Sequence, residues 1–386
     1  MLPAASAAES SARLARLEAY LGEDPDNPAL LADACDTALA AGQHARALAH
    51  LAAAERLALD PAAWLWRRAR LCIAQRDLAA AAESLEQLRI SVGAHPVLDH
   101  DRAYVRFLAQ DYEACRALVA PWLQDPAAGE HLEAVQVLWL RATHALGLIE
   151  EGWDWVNAQR NAGELGSAAQ GIASLVAVDA DDFTSAKALA DAALARHPTQ
   201  SEALVARATV ALAERDGPAA TRWLALALQQ NPDDGRTWSM LGLASLQAQQ
   251  LSLSQSQLER AAALMPGHIG TWHALGWSRL LQRDQVNARK AFEQALALDG
   301  NFAESHGALG LVLALQGEAA QAERHLAIAG RLDPRNVSGR FAQALQRGEA
   351  ADPERLQALV ARLLDRPGLF GVSKSHYPPL EKQIKF

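Results

Sequence analysis

The stretch TWHALGWSRLLQRDQVNARKAFEQALALDG, Thr271 to Gly300, decides the fold, because the chain repeats it at a fixed interval. Its opening recurs 34 residues earlier as TWSMLGLASL (237–246) and 34 residues later in SHGALGLVLAL (305–315). Pro198, Pro232 and Pro266 keep the same 34-residue spacing, Pro334 lies 68 beyond Pro266, and Gly300 stands at the midpoint. A helix breaker at this period marks a solenoid built from helical pairs.

Each period is numbered so that its Pro or Gly falls at position 32. The best three run Gly235–His268, Ile269–Phe302 and Ala303–Asn336. Position 4 is then Trp238 and Trp272, and positions 7 and 8 are Leu241-Gly242, Leu275-Gly276 and Leu309-Gly310. Position 20 is Ser254, Ala288 and Ala322; position 24 is Leu258, Phe292 and Leu326; position 27 is Ala261, Ala295 and Ala329. Small residues at 8, 20 and 27 let neighbouring helices approach, and the larger side chains at 4, 7 and 24 fill the space between them. No single repeat can bury its apolar face alone, so stability comes from stacking.

This pattern resembles the tetratricopeptide repeat family, and over 201–336 the resemblance is specific. Position 11, usually aromatic in that family, is here Ser245, Arg279 and Leu313. The resemblance implies an all-α, right-handed solenoid of antiparallel helix pairs, a tetratricopeptide-like superhelix with terminal capping helices.

The ruler extends toward the amino end through periods starting at Pro28, Ala62, Pro96, Ser167 and Ser201. Between Pro96 and Ser167 lie two periods plus three residues, and the expectation is that GLIEEGWDWVNAQRNAGELG (147–166) holds the insertion. Nine helical pairs are expected in all. Residues 1–27 read as a frayed start and a capping helix over 9–22, and 28–166 as degenerate repeats. Residues 167–336 read as repeats proper, 337–366 as C-terminal capping helices, and 367–386 as a basic and aromatic tail carrying Lys374, Lys382, Lys385, Phe370, Tyr377 and Phe386.

Half of the 386 residues are hydrophobic while aromatics make up 5%, which reflects alanine, the best helix former. A net charge of −9 argues against general binding to nucleic acid or anionic membranes, both of which want a basic face. No apolar run reaches transmembrane length, and MLPAASAAESSARL has neither the basic leader nor the apolar core of a secretory signal, so a cytoplasmic protein is expected. Cys35, Cys72 and Cys115 fall in packing positions and show no CxxC spacing, as in a reducing compartment.

Motifs of catalysis do not occur: there is no phosphate loop, no HExxH, no GxSxG and no dinucleotide fingerprint. The polar cluster HPVLDHD (His95, Asp99, His100, Asp101) reads as a loop and helix start rather than as metal ligands. The expectation is therefore a non-enzyme without cofactor or metal.

In the family the first helix of each pair faces the concave side, chiefly through positions 2, 5, 9 and 12. That implies a partner-binding groove lined by Trp66, Arg70, His100, Tyr104, Phe107, Arg236, His273 and Trp277. The Lys and Asn clamp of the repeats that bind acidic carboxyl termini is absent from positions 5 and 9, which disfavours a heat-shock co-chaperone. Exposed amphipathic rings in a groove suit protein recognition. The expected role is a non-catalytic scaffold or adaptor for a protein or peptide segment; the alternative is a client-specific chaperone that shields a segment of a secreted or assembling protein.

Overall fold

Asn27, Asp60 and His95 each precede a proline, and each side chain accepts the backbone N–H two residues on, from Ala29 (3.1 Å), Ala62 (3.1 Å) and Val97 (3.3 Å). An acceptor at the cap with proline behind it starts a helix, since proline fills the one position that has no use for its missing N–H. The computed structural model describes residues 7–346, together with Ala358. Among these residues there are twenty α-helices. They are α1 (Ala7–Glu23), α2 (Pro28–Ala40), α3 (His44–Arg56), α4 (Pro61–Ala74), α5 (Leu78–Val92), α6 (Pro96–Leu108), α7 (Tyr112–Val119), α8 (Leu132–Ala145), α9 (Ile149–Ala162) and α10 (Ser167–Asp179). There follow α11 (Phe183–Arg196), α12 (Ser201–Ala213), α13 (Gly217–Gln230), α14 (Gly235–Gln247), α15 (Leu251–Leu264), α16 (Ile269–Leu281), α17 (Gln285–Leu298), α18 (Ala303–Leu315), α19 (Ala319–Leu332) and α20 (Val337–Gln346). Among the described residues there is no strand. The fold is all-α; helices and turns alternate from α2 to α19, and eight sequential pairs pack together, α2 with α3, α4 with α5, α6 with α7, and α10 to α19 two by two.

The turn inside each period is built one way throughout. Position 15 takes positive φ at Gly42, Arg76, Gln110, Gly147, Asp181, Arg215, Gln249, Arg283 and Gly317. The next residue is most often an aspartate that caps the second helix: Asp77, Asp111, Asp182, Asp216 and Asp284 each accept the N–H three residues on, at 2.9–3.2 Å. These turns are 34 residues apart except from Gln110 to Gly147, where the interval is 37. The insertion therefore lies before Gly147. It falls where two 3-10 turns, Ala120–Leu123 and Pro126–His131, separate α7 from α8. The expectation that 147–166 holds it is corrected: that segment keeps the 34-residue interval to Asp181 and forms α9.

Contacts divide the chain into two compact units between Leu146 and Gly147, earlier than the sequence division at 166. In the first unit, Leu14 and Leu21 of α1 join a core with Leu31, Cys35 and Leu51, so α1 covers the first pair. Trp64 and Leu71 of α4 belong to that same core, while Ala69 and Ile73 of α4 join a second one with Leu85, Leu98 and Val105 of α5 and α6.

In the second unit the glycines at position 8 face the large residue at position 24. A Cβ on Gly276 would lie 2.5 Å from Cε1 of Phe292, and one on Gly310 would lie 2.7 Å from Cδ2 of Leu326. The ring of Phe292 is fully buried and has nowhere to go. Glycine at this position sets how closely the paired helices approach.

First helices are also joined to one another. Ser239 of α14 meets Thr271 of α16 (Oγ to Oγ1, 3.0 Å), and His273 of α16 meets Ser305 of α18 (Nε2 to Oγ, 2.7 Å). Ser338 of α20 donates to Glu304 of α18 at 2.6 Å. In α14 and α16 position 5 thus bonds to position 3 of the next first helix, and α20 packs on α18 to continue the stack. Of the expectations at the ends, residues 1–6 of the frayed start, 347–366 of the C-terminal capping helices apart from Ala358, and the tail at 367–386 lie outside the described residues.

Candidate interaction face of the first helices

Positions 5 and 9 of three first helices carry Trp66 and Arg70 on α4, His100 and Tyr104 on α6, and His273 and Trp277 on α16. One sequence rule selected all six, and the structure treats them in two ways.

In the first unit, Trp66, Arg70, His100 and Tyr104 are half-buried. The Trp66 Nε1–H donates to Oδ2 of Asp101 on α6 at 2.7 Å, which fixes the indole plane. The guanidinium of Arg70 lies 5.1 Å from the centre of that indole, a cation–π contact. Arg70 also reaches Asp36 of α2 at 3.4 Å, and Arg67 donates to the same carboxylate at 2.8 Å while lying over Trp64. His100 sits 3.4 Å from the other oxygen of Asp101. Three first helices thus contribute to one continuous set of side chains. Tyr104 is set partly into the core beside it, and burial raises its phenol above the ordinary range.

The second unit departs from the expectation. His273 and Trp277 are both 0% exposed. The Trp277 ring meets Phe292 edge-on at 5.5 Å, and the His273 ring lies 5.4 Å from both Phe292 and Phe302. Phe107 in the first unit is likewise buried, against Tyr112 at 5.3 Å. These three side chains are core, not lining, because a neighbouring aromatic takes up the face each would present. Burial alone pushes His273 down to about 3, so it is a neutral imidazole at neutral pH. Arg236 is half-buried in the first turn of α14.

The groove reading passed over Asp101, which holds the half-buried Trp66, Asp36, which holds Arg70, and Arg67, which pairs with Asp36 and lies over Trp64. Position 9 of the first period is Asp36, and a groove reading carried back to that period would have found it. Asp101 lay in view within HPVLDHD. In that segment His95 caps α6, while Asp99 accepts from Arg102 (2.8 Å) and from Trp122 (3.2 Å). Arg102 also pairs with Glu86 at 2.7 Å, in the wall of an open cleft of about 590 Å³ between α5, α6 and α7. Buried thiols complete the first unit: Cys35 and Cys115 are pushed up to about 12, chiefly by desolvation, and are packing residues.

A 34-residue helix pair, a left-handed residue at position 15, glycine at 8 set against a large side chain at 24, and first helices in contact define the class. The chain is a tetratricopeptide-type array of helix pairs. No protein-family model and no curated protein sequence matches it. Among solved structures it is similar to a tetratricopeptide repeat protein from Parabacteroides merdae (14% identity, TM-score 0.46, covering 66% of this chain and 99% of that one). It is also similar to YrrB, described as a TPR protein with an unusual peptide-binding site (18%, 0.40, 49% and 96%), and to MamA (18%, 0.38, 40% and 91%). At these scores they are likenesses and no more. Among the described residues no helix is long and apolar enough to cross a membrane.

Proposed function

We propose that this protein is a non-catalytic scaffold or adaptor that takes a segment of a protein partner on the first-helix face of residues 28–146. The observation that carries the reading is the oriented pair Trp66 and Arg70. Asp101 holds one and Asp36 the other, each from an adjacent first helix. A half-exposed indole with a cation over its face, held in place before a partner arrives, is the kind of anchor that dominates protein interfaces. Tyr104 and His100 extend it along α6. The three thiols and the acidic net charge suit a cytoplasmic protein that does not bind nucleic acid.

The test is affinity capture from the native host's lysate, with the unaltered chain beside a Trp66→Ala/Tyr104→Ala variant whose circular dichroism matches it. The reading expects one or two proteins kept by the unaltered chain and lost by the variant. Capture of the same proteins by both forms would move binding elsewhere on the molecule. A complex that persists after purification indicates a scaffold, and release once the client has folded indicates the chaperone alternative.

A further inference from the structure

The repeat Ala303–Asn336 departs from its neighbours at one position, and a second histidine meets the departure. In the two preceding repeats position 4 is tryptophan, and its indole N–H donates to the position-32 carbonyl before it: Trp238 to Pro232 at 2.9 Å, Trp272 to Pro266 at 2.8 Å. In this repeat position 4 is His306, whose Nε2 makes the same bond to the Gly300 carbonyl at 2.9 Å. A carbonyl can only accept, so the proton sits on Nε2 and the Nδ1 lone pair of neutral His306 is left pointing away. It points at Nδ1 of His325 on α19, 2.9 Å distant. Position 23, which His325 occupies, is Gln257 and Ala291 in the two preceding repeats.

We propose that His306 and His325 form a binding site for a late first-row divalent metal ion, with copper(II) or nickel(II) preferred over zinc. An imidazole whose far N–H is tied to a backbone carbonyl has the tautomer and orientation of a metal ligand. Two nitrogens 2.9 Å apart, each about 2.0–2.1 Å from one ion, subtend about 90° there, the angle of a square-planar or octahedral site rather than a tetrahedral one. His325 accepts the ion at Nδ1 by moving its proton to Nε2. His306 is buried beneath and His325 is half-buried at the surface, so the ion enters from the solvent side, where water fills its other positions.

Two charged groups of α17 act on His325. Glu293 favours a cation beside His325 and Arg289 opposes it, and the two are bonded to each other at 2.8 Å. Among the described residues there is no group of three or more potential ligands, so the site is a two-histidine one.

The experiment titrates the untagged full chain with nickel(II) chloride and with copper(II) chloride by calorimetry and thermal melting. Two variants run beside it. His325→Ala removes the outer ligand. His306→Trp restores the residue of the neighbouring repeats and can keep the bond to Gly300 while losing the lone pair. The expected result is one equivalent bound by the unaltered chain, with a rise in melting temperature. Both variants should lose that equivalent, with affinity down at least tenfold and circular dichroism unchanged. Absence of an equivalent in the unaltered chain, or its retention in both variants, would overturn the assignment.

Discussion

His273 shows at a single residue what the stack imposes. An imidazole that titrates near 6.5 in the unfolded chain is pushed to about 3 in the fold, because burial penalises its charged form. The unfolded state therefore binds a proton that the native state refuses. Stability is whole above 6.5 and falls as pH drops from there toward 3. At pH 5 this one residue should remove about 2 kcal/mol relative to pH 7. Urea unfolding at the two pH values checks it: His273→Gln should lose about 2 kcal/mol less than the unaltered chain between them, and equal losses would sink the idea. The burial itself was not legible. His273 and Trp277 occupy the same two positions as Trp66 and Arg70, and nothing in the spacing announces that Phe292 and Phe302 close over the first pair while Asp36 and Asp101 hold the second pair half-open.

At the scale of the element, the turn at position 15 shows how local chemistry sets boundaries. Arg76, Gln110, Asp181, Arg215, Gln249 and Arg283 adopt the left-handed conformation that glycine holds at 42, 147 and 317. A side chain there costs about 1–2 kcal/mol, more than the roughly 0.4–1 kcal/mol by which glycine's freedom favours the unfolded chain. Arg215→Gly and Gln249→Gly should each stabilise the protein by about 0.5–1 kcal/mol, both being exposed. Gly317→Ala should destabilise it by a similar amount. Denaturation midpoints decide the matter, and a loss of stability in the two glycine variants would contradict it. Prolines at the 34-residue interval made the ends of the second helices readable, since each acts within a turn of itself. The insertion was misplaced because Ala120–His131 forms 3-10 turns, which carry no helical period to count.

From α14 to α18, position 5 of one repeat meets position 3 of the next, so these repeats are interchangeable where those positions match. Deleting Ile269–Phe302, one full period, brings His268 to the start of α18 and Ser239 opposite Ser305. The cap that His268 now gives to Thr271 (3.2 Å) and the hydroxyl pair that Ser239 now makes with Thr271 both have a partner in Ser305. The shortened chain should keep its helicity per residue and unfold cooperatively at lower denaturant, as nearest-neighbour stacking requires. Removing only Gln285–Phe302 leaves α16 without its paired helix and should abolish cooperative unfolding in that region. Circular dichroism through a urea titration separates the two, and equal behaviour of both deletions would refute the modular reading.

The helix pairs, their 34-residue interval and their packing glycines follow from the sequence by itself, because caps, breakers and small-against-large spacing act over a few residues. Which first-helix side chains stay open to a partner was decided only in three dimensions. Exposure there depends on residues from neighbouring helices: Phe292 and Phe302 over His273, Asp36 and Asp101 beside Arg70 and Trp66, and His325 against His306. Each of those partners lies between 19 and 35 positions away along the chain, beyond any local pattern.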